Sequence, residues 1–81
     1  MLRLPAVCAR SGYGTTTLYA RCSKGLFAPP VKLTPRASAW PEHEVDAVLG
    51  AMLAGATDDE LRSLVRQLVE SRATHRPAAR A

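Results

Sequence analysis

Aromatic side chains are scarce in this chain. Tyr13, Tyr19, Phe27 and Trp40 are the whole set, 5% of 81 residues, although hydrophobic residues reach 47%. The core is therefore predicted to be aliphatic, built from Leu, Val and Ala around these four bulky pieces, a composition that suits one small helical domain. A chain of this length buries only about 60% of its unfolded surface, so that core is modest. Long apolar runs are missing too. No stretch approaches the roughly eighteen apolar residues of a bilayer span, and the opening Met1-Leu2-Arg3-Leu4-Pro5 lacks the apolar segment of a signal peptide. The expectation is a cytoplasmic protein with no membrane partner.

Signatures of catalysis are equally absent. There is no Gly-rich phosphate loop, no nucleophile elbow and no pair of carboxylates facing each other in an apolar setting, which predicts a non-enzyme that works without a cofactor. His43 falls between two glutamates in the first turn of a predicted helix and His75 in the terminal tail, so both read as surface residues. Cys8 and Cys22 admit three readings: a disulfide, two ligands of a metal site completed by His43 or His75, or two free thiols packed as small hydrophobes. A reducing cytoplasm and the lack of any C-x-x-C spacing favour the third.

The most informative absence is of acids. Residues 1–41 contain Arg3, Arg10, Arg21, Lys24, Lys32 and Arg36 but no Asp or Glu, for a net of +6, whereas all seven acids fall after residue 41 against five arginines, for a net of −2. Such segregation directs the N-terminal half at a polyanion and leaves the C-terminal half for other work.

Glycine and proline punctuate the chain. A short helix is predicted from Pro5 to about Arg10, stopped by Gly12, and a second from Thr15 to about Lys24, with Leu18 and Cys22 on one side and Gly25 able to take positive φ beyond its end. Two short helices joined by a glycine-containing turn form a helix-turn-helix. Prolines 29, 30 and 35 exclude a helix over the next segment; Val31-Lys32-Leu33 and Ala37-Ser38-Ala39-Trp40 flank Thr34-Pro35-Arg36 as a β-hairpin in the position of a wing. A third helix is predicted to start at Pro41-Glu42, with Pro at its first position, and to reach about Ala54. Thr57-Asp58-Asp59-Glu60 reads as a capping box opening a fourth helix to about Arg72. The organisation is thus a winged helix-turn-helix domain over 1–55, a C-terminal amphipathic helix over 56–73 and a disordered basic tail over 74–81, the fold class being mainly α.

With Leu18 and Cys22 inward, about 100° per residue places Thr16, Ala20 and Ser23 outward, with Tyr19 on one flank and Thr17 and Lys24 on the other. Hydroxyls at Thr15, Thr16 and Thr17 suit phosphates or base edges, with N-capping as their alternative use. Arg21, Lys24 and Lys32 suit flanking phosphates, and Arg36 at the hairpin tip suits a phosphate or narrow minor groove. The stripe Leu61, Leu64, Val65 and Leu68 is either core or a surface for a homodimer or a protein partner such as an integrase or polymerase subunit.

The run Leu4-Pro5-Ala6-Val7 through Ser11-Gly12, then Thr17-Leu18-Tyr19, Gly25-Leu26-Phe27, Pro30-Val31-Lys32-Leu33, Arg36-Ala37, Ala39-Trp40 and Glu44-Val45-Asp46-Ala47, resembles the AlpA family of phage and mobile-element regulators. The resemblance covers about residues 3–50 and implies a MerR-like winged helix-turn-helix acting as a transcriptional regulator or excisionase. It further implies double-stranded DNA and a site-specific integrase as partners, copies acting as a homodimer or array along DNA, and a place at the nucleoid. Gly14-Thr15 stands where the family has Ser-Arg, Ala20 where it has Arg, Ala28 where it has Pro, and Thr34-Pro35 where it has a Gly-rich turn. These departures imply recognition through phosphates and DNA shape more than through bidentate guanine contacts.

Overall fold

A computed structural model describes residues 1–74. The helix α1 (Leu4–Ser11) follows an extended Arg3, whose carbonyl accepts from Ala6 and Val7, and it stops where Gly12 turns to φ +80 and donates its N–H to the Cys8 carbonyl at 2.9 Å. Only a glycine takes that conformation without strain. Helix α2 (Thr15–Ser23) begins after an extended Gly14 and ends in the same way, Gly25 at φ +75 and the Leu26 N–H returning to the Arg21 carbonyl at 2.9 Å.

Strands β1 (Val31–Thr34) and β2 (Ala37–Ala39) pair antiparallel with Val31 opposite Ala39, Lys32 opposite Ser38 and Thr34 opposite Ala37. The shift between Lys32 and Thr34 leaves Leu33 as an extra residue in a bulge, and Thr34 closes the tip by accepting the Arg36 N–H on its hydroxyl at 3.2 Å. Beyond β2, Trp40 exchanges both backbone hydrogen bonds with Leu2, at 2.7 and 2.8 Å, so the start of the chain is stitched to the root of the hairpin.

Pro41 is the extended residue before α3 (Glu42–Leu53), not its first helical residue as the sequence predicts. Its ψ of 130° is the reason, since a helix needs a negative ψ there. Gly55, at φ +87, turns the chain into α4 (Asp58–Thr74). The capping box forms reciprocally: Thr57 N–H donates to Glu60 Oε1 at 2.8 Å and Glu60 N–H to Thr57 Oγ1 at 3.2 Å. The helix runs to Thr74, two residues past the predicted end, and the rest of the predicted tail, with His75, lies outside the described residues.

Val7, Leu18, Leu26, Phe27, Ala28, Trp40, Val45 and Val48 form a single core with Leu61 and Val65. Phe27 and Trp40 are its bulky centre, whereas Tyr13 is half-buried and Tyr19 is 40% exposed. The stripe on α4 therefore closes this chain's own core. Leu61 and Val65 are buried in it, the core use that the sequence left open, while Leu64 and Leu68 are half-buried against them and keep part of their apolar surface in water.

Glu44, in the first turn of α3, is unlike the other acids of the chain. It is fully buried, and the Arg72 guanidinium grips both its oxygens, Nε to Oε2 at 2.9 Å and Nη2 to Oε1, while Nη2 also donates to the Pro29 carbonyl at 2.7 Å. One arginine thus ties the far end of α4 to the start of α3 and to the segment entering the hairpin. The described chain is mainly helical, four helices and a two-stranded antiparallel hairpin, an arrangement compatible with a winged-helix-like fold. None of its described helices is long and apolar enough to cross a membrane.

Candidate nucleic-acid interface

The exposed side of α2 follows from its anchoring. With Leu18 buried and Cys22 half-buried, Thr15, Thr16, Thr17, Tyr19, Ala20, Ser23 and Lys24 all face outward. Gly14 precedes the helix and has no side chain, so none of the three threonine hydroxyls caps it, and they stand exposed on its first turn. Their alternative use as N-caps is thereby excluded.

Tyr19 sits at the edge of this face with its ring 6.1 Å from that of Trp40, tilted by 54°. Trp40 is in turn fixed by its indole N–H, which donates to the Ala28 carbonyl at 2.8 Å. On the hairpin, Lys32 and Arg36 are both exposed, with Lys32 Nζ 3.5 Å from the Pro35 carbonyl. Between α1, α2 and β2 opens a cleft of about 440 Å³, lined by Arg3, Leu4, Tyr19, Arg36, Ser38 and Trp40.

Two predicted cations behave differently from the rest. Arg21 is half-buried; its guanidinium carbon lies 5.1 Å above the Tyr13 ring and its Nε is buried without a hydrogen-bond partner. Expected from the sequence as a flanking phosphate contact, it makes a cation–π contact across the turn between α1 and α2. Arg10 reaches α3 and pairs with Glu42 at 2.7 Å and Asp46 at 2.9 Å, the hydrogen bond to Glu42 doing most to hold its pKa above the ordinary arginine range. The +6 of residues 1–41 therefore overstates the free positive charge. What remains free of acids in this half is Arg3, Lys24, Lys32 and Arg36, which like Arg66 on α4 have no carboxylate partner among the described residues, whereas Arg62, Arg10 and Arg72 each have an acid within 4 Å; Arg3 and Arg36 line the same cleft.

Arg3 and Ser38 were not among the residues singled out from the sequence. Arg3 counts there only as one charge, and the signal that places it, the pairing of Leu2 with Trp40, joins positions 38 apart in the chain. Arg62 adds a further long-range link by donating from Nε to the Lys24 carbonyl at 3.0 Å, satisfying the end of α2.

Cys8 and Cys22 are half-buried and unbridged. The Cys22 thiol donates to the Ala28 carbonyl at 3.4 Å, and burial raises its pKa. A raised thiol pKa keeps the sulfur protonated through neutral pH, so any stability it lends is present below the ordinary thiol pKa and fades only as alkali strips the proton. Alkylation of Cys22 by iodoacetamide at neutral pH, followed by peptide mass mapping, is expected to run slower than that of an accessible peptide thiol; an equal rate would show the thiolate to be freely formed. The described residues hold no group of three or more His, Cys, Asp and Glu side chains able to bind a metal ion.

Set against known protein families, curated proteins and solved structures, the chain matches none.

Proposed function

We propose that this chain is a DNA-binding protein of the winged helix-turn-helix kind, with α1 and α2 as the two helices and the hairpin as the wing. The observation that carries the reading is the set of exposed cations on α2 and the hairpin left without acid partners. Lys24 on α2 and Lys32 and Arg36 on the hairpin are exposed and unpaired with acids, beside three uncommitted threonine hydroxyls, while Glu42, Asp46 and Glu44 are each matched by an arginine elsewhere. A cationic face lined with hydroxyls suits a phosphate backbone.

On this reading α2 enters the major groove, which at about 12 Å wide accepts one helix, and the hairpin follows the adjoining minor groove with Arg36 foremost. Alanine at position 20 and threonines at the helix start leave few side chains able to make bidentate contacts with guanine, so selectivity comes largely from DNA shape and phosphate register. The resemblance to AlpA-type regulators supports a role as a transcriptional regulator or an excisionase of a mobile element, positioning DNA for an integrase or polymerase rather than making or breaking bonds. A reading as a protein-docking module through α4 has lost its main support, since Leu61 and Val65 lie in the core.

Fluorescence anisotropy with DNA from upstream of the chain's own gene tests the proposal. The double variant Lys32→Ala/Arg36→Ala is expected to bind more weakly and to lower the slope of log affinity against log salt by about 2. Unchanged affinity and slope would remove the hairpin from the interface.

A further inference from the structure

We infer that the cleft between α1, α2 and the hairpin seats one sugar-phosphate strand of the duplex, with Arg3 and Arg36 as jaws on its phosphates. This rests on the DNA-binding reading above and adds to it a contact, Arg3, from outside both the helix and the wing.

The argument begins with the duplex. Neighbouring major and minor grooves are divided by a single sugar-phosphate strand, so a protein that puts a helix in one and a hairpin in the other must let that strand pass between the two. Tyr19 belongs to α2, and Arg36 and Ser38 to the hairpin, and all three line the same cleft of about 440 Å³. Arg3 and Leu4 supply its remaining wall.

Chemistry in the cleft fits such a strand. Tyr19 and Leu4 offer apolar surface to deoxyribose, backed by the buried Trp40 ring, while the two guanidiniums present planar forks that match phosphate oxygens. Neither arginine has a carboxylate partner among the described residues, so neither must give one up to bind an anion.

Arg3 is also held ready. Its carbonyl accepts from the N–H groups of Ala6 at 3.0 Å and Val7 at 3.1 Å, and the adjacent Leu2 is locked to Trp40 by two backbone hydrogen bonds. Its side chain is exposed on a backbone pinned from both sides, and less conformational freedom is lost on binding from such a position than from a loose terminus. The helix start itself contributes little, because Pro5 has no N–H to offer.

The test measures anisotropy of the labelled upstream duplex over a series of salt concentrations for wild type, Arg3→Ala and Arg3→Lys. Arg3→Ala is expected to bind about tenfold more weakly and to lose about one unit of salt slope; Arg3→Lys is expected to keep the slope but recover only part of the affinity, having the charge without the fork. Circular dichroism melting monitors the fold, which does not depend on the Arg3 side chain. Duplexes carrying a neutral methylphosphonate at single positions give an independent reading on the intact protein: one substitution should weaken wild type while leaving Arg3→Ala unaffected. Wild-type binding with Arg3→Ala equal in affinity and slope would overturn the cleft assignment and leave the DNA-binding reading standing. A wild type with no salt-dependent duplex affinity would remove both. Binding of free dAMP that is lost in Arg3→Ala, with duplex affinity unchanged, would assign the cleft to a small nucleotide and overturn the strand.

Discussion

Arg72→Ala is expected to lower the free energy of unfolding by about 3–5 kcal/mol, read from urea denaturation followed by the fluorescence of Trp40, the chain's single tryptophan. The effect is large because of what is left behind. The Glu44 side chain is 1% exposed and paired with one cation, so removing Arg72 leaves a buried carboxylate without its partner and takes the donor from the Pro29 carbonyl. For a chain of this size total stability is on the order of 4–12 kcal/mol, so a loss of this magnitude leaves a substantial unfolded fraction. The companion variant Glu44→Leu/Arg72→Leu should recover much of the loss, since two apolar groups carry no desolvation penalty, and fall short of wild type by the unpaired Pro29 carbonyl. An Arg72→Ala protein as stable as wild type would reduce the pair to a surface contact.

The same pair marks where sequence reasoning stops. Local signals carried the backbone well: Gly12, Gly25 and Gly55 all take the positive φ that ends a helix or turns a loop, and Thr57 with Glu60 builds the capping box that their three-residue spacing announces. Each of those depends on neighbours within a few residues. Glu44 instead looks like any acid at a helix start, where the helix dipole alone accounts for it. What decides its burial is an arginine 28 residues later, and nothing in the spacing of the two names them as partners.

The candidate interface shows the same division. The outward face of α2 could be read from the Leu18–Cys22 spacing because helical periodicity is local, and Thr16, Ala20 and Ser23 are exposed as that periodicity requires. Counting charges treated six cations as equivalent. Tertiary structure sorts them: Arg10 is matched by two acids on α3, Arg21 lies over Tyr13, and Arg3 is carried to the cleft by the pairing of Leu2 with Trp40. Charge segregation along a sequence thus identifies the face but not which members of it remain free.

Trp40→Ala is expected to cost about 3–5 kcal/mol, comparable to the loss of Arg72, but through packing. The ring is fully buried in the core beside Phe27, and it contacts the edge of Tyr19, so its removal opens a cavity under the cleft as well as within the core. Trp40→Phe separates two contributions. It restores most of the apolar volume but takes the indole N–H from the Ala28 carbonyl, which retains only the weak Cys22 thiol donor at 3.4 Å, and should cost about 1–3 kcal/mol by thermal melting followed with circular dichroism. Because the backbone bonds between residue 40 and Leu2 do not involve the side chain, Trp40→Phe keeps Arg3 pinned while freeing Tyr19 from its tilted ring contact. Duplex affinity in this variant should therefore fall less than in Arg3→Ala and with an unchanged salt slope, since no charge is removed. A lowered slope in Trp40→Phe would mean that the indole, rather than the backbone pairing of Leu2 with residue 40, sets the position of the arginines across the cleft.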